Sequence, residues 1–199
     1  MSNLYWPIYK NLEREVIELS NLVHFDDNQM SVYSVKITEL LIRSSVEIGS
    51  ISKNLFLANG GEPPEERDLY FDTDCLKFLD EKWQLSKKVL ILSSINFHFE
   101  NDINKVITPL HKSFKRGTSG SDWKKAYQAV KHERVKSLDK GNIGHMIRAL
   151  GALFILNLYY KNESFDLGKD SAGNSFPVNC GSELFSINVH AGSHDGVGM

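Results

Sequence analysis

The residues with the clearest capacity for chemistry lie between positions 122 and 136. Read as a helix, Trp123, Tyr127 and Val130 form an apolar edge, and Lys125, Gln128, His132 and Lys136 form a polar edge beside it. His132 therefore stands among Lys125, Lys131 and Arg134, a setting that holds phosphate. Imidazole changes charge near neutral pH, so a histidine among cations can act as acid or base in RNA cleavage while its neighbours stabilise charge on the phosphate. The same spacing also describes an ordinary surface histidine, and spacing alone leaves both readings open. Glu47 is the second group of interest. It lies three residues after Ser44 and four before Ile51, on the inward stripe of an earlier helix. A carboxylate there either pairs with a cation, Arg43 being one turn away, or lines a cleft where it could orient His132 or an arginine.

The charge pattern points to the same segment. The chain has 199 residues and a formal net charge of −2, but the charge is unevenly spread. Residues 1–104 carry 10 basic and 17 acidic side chains, a net −7, whereas 105–136 carry 9 against 2, a net +7. Clustered Lys and Arg gain affinity for a polyanion through counterion release, so Lys115, Arg116, Lys124, Lys125, Lys131 and Lys136 are the candidate phosphate-binding residues. The competing reading is a solvated basic surface with no ligand.

Other chemistries find little support. Cys75 and Cys180 cannot build a disulfide framework, and neither has a ligand partner at metal spacing. No metal or cofactor is expected, and any nuclease step would be metal-independent. Gly60-Gly61 lacks the strand and helix context of a phosphate loop, Ser93, Ser94 and His98 lack a third triad member, and His190 and His194 lie in a segment without helix-forming residues. Met1 to Lys10 has no signal-peptide pattern. The apolar run Met146–Tyr160 is shorter than the roughly 20 residues a bilayer needs and contains Arg148, so a buried core helix and a cytoplasmic protein without membrane attachment are expected.

These residues need a scaffold to position them, and the periodicity supplies a mainly α one. Tyr9, Leu12, Val16, Leu19 and Val23 predict a helix over about 7–24. Tyr33, Ile37, Leu40, Ser44, Ile48, Ile51 and Leu55 predict a long helix over 31–58, capped by Ser31 and stopped by Asn59-Gly60-Gly61. A third helix opens at Asp74 and runs through Trp83. Alternation at Ile95, Phe97 and Phe99 suggests a short β ribbon near 89–100, and 105–120 reads as a basic loop. Helices over 122–137 and 142–161 complete an antiparallel bundle of four to five helices spanning 1–161, with 162–199 as a Gly/Ser/Asn-rich strap or tail.

The order of EIGSISK (Glu47 to Lys53), DWKKAYQAVKHER (Asp122 to Arg134) and the apolar IRALGALFILNLYY (Ile147 to Tyr160) resembles bacterial HEPN-like proteins. The resemblance spans residues 5–160. It implies a helical bundle that forms a homodimer and binds or cleaves RNA, in a defence or toxin–antitoxin system with an antitoxin or other partner protein. It also implies catalysis by His132 with Arg134 and Glu47. Catalytic members carry an Arg and a following His with four to six residues between them, and this chain has no such pair. Lys125 holds that place before His132, and lysine lacks the two-pronged grip of arginine on phosphate. A HEPN-like interaction module without catalysis is therefore the alternative expectation.

Overall fold

The computed structural model describes residues 3–161 and 175–190, which form a mainly α fold of six α-helices with a small sheet. The first helix, α1 (Tyr5–Ser20), buries Tyr9, Leu12, Val16 and Leu19, the stripe its spacing predicts, and tolerates Pro7 in its first turn. The second, α2 (Val35–Ala58), buries Ile37, Leu40, Ser44, Ile48, Ile51 and Leu55 and ends at Asn59 before Gly60, whose φ of 86° suits glycine. Its cap is Ser34, whose side chain accepts from the Ile37 amide, and not Ser31. Residues 30–33 are committed elsewhere. The carbonyls of Met30 and Val32 accept from the amides of Gly144 and Ile143, filling donors that the start of the last helix leaves open.

The third helix, α3 (Lys77–Trp83), is preceded by a π-helical stretch, Phe71–Leu76, that turns Asp72 inward. A single turn, α4 (Asp102–Lys105), precedes α5 (Asp122–His132). Past His132 the chain continues as 3-10 turns and not as helix to 137. The last helix, α6 (Ile143–Tyr160), has an Asn142 cap and is buried along nearly its whole length among α1, α2 and α5. Among the described residues it is the one helix long and apolar enough to cross a membrane, yet its side chains are covered by protein. Gly151 permits this packing, because a Cβ there would meet Leu90 Cδ1 at 3.0 Å.

The strands differ from expectation. The short segments β1 (Phe25–Asp26), β2 (Leu90–Leu92), β3 (Phe97–His98) and β4 (Val106–Ile107) are followed by β5 (Ser175–Val178) and β6 (Phe185–His190). No ribbon forms within 89–100. Instead β3 pairs in parallel with β1, and β2 joins an antiparallel sheet in the order β4-β2-β6-β5. The segment 175–190 is thus part of the core and not a strap: Leu184, Phe185 and Ile187 are fully buried. The rest of 162–199 lies outside the described residues.

A buried carboxylate ties the sheet to α1. Glu13 accepts from Tyr9 Oη at 2.8 Å, from the Glu183 and Leu184 amides at 2.8 and 3.3 Å, and from Ser182 Oγ, while Lys10 pairs with its second oxygen. Every one of these partners lies on α1 or at the start of β6, so the cluster acts as a clasp.

Candidate functional site

The π-helical stretch before α3 and the loop before α5 meet at Asp72. Arg116 grips its carboxylate in two-pronged fashion, with Nη2 to Oδ1 at 2.7 Å and Nε within 3.0 Å of both oxygens. Lys124 Nζ donates to Asp72 Oδ2 at 3.1 Å, to the Ser113 carbonyl at 2.8 Å and to the Lys115 carbonyl. Burial would raise the Asp72 carboxyl, but Arg116, the Thr73 amide and Lys124 outweigh it and hold the group below its ordinary value. Burial also pulls the Lys124 ammonium down, and Asp72 only partly offsets this. The carboxylate gains from the arrangement while the ammonium bears the desolvation. Two of the expected phosphate-binding residues are therefore structural: Lys124 is 4% exposed and anchors the basic loop from within, and Arg116 is engaged by Asp72 and stacks on Tyr70 at 4.1 Å.

The remaining candidates are scattered. Lys125 pairs with Asp122 at 2.7 Å, Lys136 approaches Glu133 at 3.6 Å, and Lys131 lies 5.7 Å from the Tyr127 ring. Lys115 is exposed beside Phe114. His132 and Arg134 are exposed at and just beyond the C-terminal end of α5, without a side-chain hydrogen bond or ion pair among the described residues. Glu47 is half-buried on α2, and Arg43 does not pair with it: both Arg43 contacts go to Glu15, at 2.7 and 2.9 Å. Trp123, 1% exposed, donates to the Pro109 carbonyl at 2.8 Å and packs as a core anchor.

A different set converges at the opposite end of α5. A cleft of about 340 Å³ is bordered by the chain from Thr118 to Trp123, by His111, Lys112 and Lys125, and by Arg148 from α6. Asp122 is the one carboxylate on its wall, and it is already paired with Lys125. Arg148 is half-buried, donates through Nη1 to the Gly144 carbonyl of its own helix at 3.0 Å and has no carboxylate partner among the described residues. Burial lowers its guanidinium below the ordinary value, with Asp122 pulling the other way.

The sequence reading missed this cleft. Two signals pointed to it: a Ser-Gly-Ser-Asp start to a helix, and one charged residue, Arg148, inside an otherwise apolar run. Among the described residues no group of three His, Cys, Asp or Glu is placed to hold a metal ion. No family model, curated protein or solved structure matches the chain.

Proposed function

We propose that this protein is a HEPN-like module that binds RNA in the cytoplasm without cleaving it, as a homodimer and with a partner protein of a defence or toxin–antitoxin pair. The observation that carries the reading is what remains of the basic segment after internal pairing. Lys105, Lys112, Lys115, Lys131 and Arg134 have no carboxylate partner among the described residues, and Arg148 adds a sixth such cation. A surface built only for solubility would interleave these with carboxylates, as the Lys36–Glu15–Arg43 cluster does elsewhere in the molecule. The order α2, α5, α6 follows the three segments that carry the HEPN-like resemblance, and an antiparallel bundle of those helices belongs to the same proposal. Strands β5 and β6 lie outside the span of that resemblance, whereas β2 and β4 of the same sheet fall within it.

Binding is favoured over cleavage because nothing holds His132 in place. A general acid or base works from a fixed position within hydrogen-bond reach of its proton, and His132 has no orienting partner among the described residues. Glu47 sits on α2 with no hydrogen bond to His132 or Arg134.

Fluorescence anisotropy with a short single-stranded RNA tests the reading. Affinity should fall steeply between about 50 and 200 mM salt, with a log–log slope that drops by about 0.7 for each cation removed from Lys112, Lys115 and Lys131. His132→Ala should change affinity less than about threefold, and the RNA should remain intact in excess EDTA. Binding that does not respond to salt would sink the proposal, and cleavage abolished by His132→Ala would replace it with the nuclease reading.

A further inference from the structure

We infer that the cleft at the N-terminal end of α5 is a binding site for a phosphate monoester, with Ser121, the first amides of α5, Arg148 and Lys112 as its ligands. Three observations converge there. The first is an unfilled cap. Ser121 occupies the N-cap position, where a serine side chain ordinarily accepts from an amide one turn on, yet it makes no such bond. It lines the cleft, is 8% exposed, and its Oγ has no hydrogen-bond partner. A buried hydroxyl left this way is unfavourable unless something arrives to engage it.

The second is the set of open donors behind that hydroxyl. Lys125 is the first residue of α5 whose amide finds a backbone acceptor, the Ser121 carbonyl at 3.1 Å. The amides of Asp122, Trp123 and Lys124 have no partner among the described residues. Free amides at the positive end of a helix dipole suit an anion.

The third is charge. Lys112, Lys125 and Arg148 face one carboxylate, that of Asp122, whose side chain is 71% exposed and turned to Lys125. These lysine and arginine side chains therefore leave the wall a surplus of two positive charges over Asp122. A phosphate monoester brings about −1.5 to −2 at pH 7, which matches this surplus better than the single charge of a diester or carboxylate. Arg148, half-buried and among the described residues bonded only to its own helix, is the group whose desolvation cost an incoming anion would offset.

The volume of about 340 Å³ sits at the small end of the usual ligand range, roughly 300 to 1,000 Å³. Exposed Ile103 and Val106 on the wall offer apolar surface to the organic part of the ligand. The monoester can come from a free nucleotide or from the terminal phosphate of an RNA. In the second form the inference rests on the RNA-binding reading.

Calorimetric titration and thermal shift of the full chain test this with inorganic phosphate, a nucleoside 5′-monophosphate, and one RNA oligomer with either a terminal phosphate or a terminal hydroxyl. Phosphate and the monophosphate should bind and raise Tm, and Arg148→Gln should weaken both at least tenfold. Lys112→Gln, at an exposed position, should weaken them by a smaller factor and serves if the Arg148 variant folds poorly. If the RNA is the source, the phosphorylated oligomer binds at least tenfold more tightly than the hydroxyl form, and Arg148→Gln removes the difference. If the nucleotide is the source, the monophosphate binds and the two oligomers do not differ. Failure of phosphate and monophosphate to bind, or binding unaffected by both variants, overturns the inference and leaves salt-dependent RNA binding standing. Monoester binding without any RNA binding overturns the RNA reading and leaves the cleft.

Discussion

Two buried polar clusters of this protein, at Glu13 and at the start of α5, have opposite accounts of their hydrogen bonds. At Glu13, each carboxylate oxygen is engaged: Tyr9, Ser182, the amides of Glu183 and Leu184, and Lys10 converge on it from α1 and the start of β6. At the start of α5, among the described residues, a buried hydroxyl and three amides are left open beside Lys112 and Arg148, which have no carboxylate partner. A closed network holds two pieces of chain together and has nothing left to offer a ligand. An open one sits less comfortably in the folded protein and is ready for a partner. The contrast separates groups that stabilise from groups that bind, a division that counting charged residues cannot make.

The largest effect should come from breaking the closed cluster. Glu13→Ala removes the acceptor of the Glu183 amide, leaves the Leu184 amide only the Ser182 hydroxyl, and leaves the bonded Tyr9 and Ser182 hydroxyls one acceptor short, and should destabilise the protein by about 3 kcal/mol in urea denaturation. Hydrogen exchange should quicken first in residues 175–190, because the clasp is what joins that hairpin to α1. Binding of phosphate by the folded fraction should be unchanged. A Glu13→Ala protein of parental stability would show that the clasp contributes nothing and would remove one side of the comparison.

Asp72 lies between the extremes, closed like Glu13 but half a surface pair, since the Arg116 side chain is 49% exposed. Its carboxyl is held below the ordinary value, so the folded state favours the ionised form. The stability it contributes is complete above the unfolded carboxyl value of about 3.9 and is lost as pH falls through the lower folded value. Tm measured from pH 6 downward should therefore fall more steeply in the parent than in Asp72→Asn. At pH 7 the variant should be less stable by about 2 to 3 kcal/mol, with the solvent-exposed part of the Arg116 pair discounted. Parallel Tm curves for the two proteins would show that Asp72 titrates alike in the folded and unfolded chains.

The helical scaffold was legible in the sequence because its signal is local. The stripes of α1 and α2 declare themselves within a few turns, and the run from Met146 to Tyr160 reads as a core helix for the same reason. The sheet was not. Leu90, Ile91 and Leu92 form a solid apolar run that fits helix or strand, and their partner β6 lies almost a hundred residues away. The residues that become β6 were read as part of a strap or tail, because the short alternation of Phe185 and Ile187 with Ser186 and Asn188 is lost in a Gly/Ser/Asn-rich segment and does not name its neighbour. The basic segment failed in the same way. Lys124 looks like any other lysine of the block, and it turns inward because Asp72, fifty-two residues earlier, meets it there. Charge patterning finds the segment. Only the fold decides which of its cations remain for a ligand.

The open cluster yields the smallest stability effect and the one most specific to the comparison. Arg148 is half-buried on a mostly apolar helix, and among the described residues no carboxylate pairs with it, the charge of Asp122 offsetting its desolvation only in part. Replacing a structural arginine should destabilise. Replacing this one with glutamine removes a charge whose burial is only partly compensated while keeping a donor for the Gly144 carbonyl. Stability in urea should therefore be unchanged or higher, by up to about 1 kcal/mol, while monoester affinity is lost. Added phosphate should raise the Tm of the parent above that of the variant, reversing the order seen without it. If Arg148→Gln instead loses stability on the scale of Glu13→Ala, the guanidinium belongs to the closed class of polar groups, and its place beside the cleft is a matter of packing.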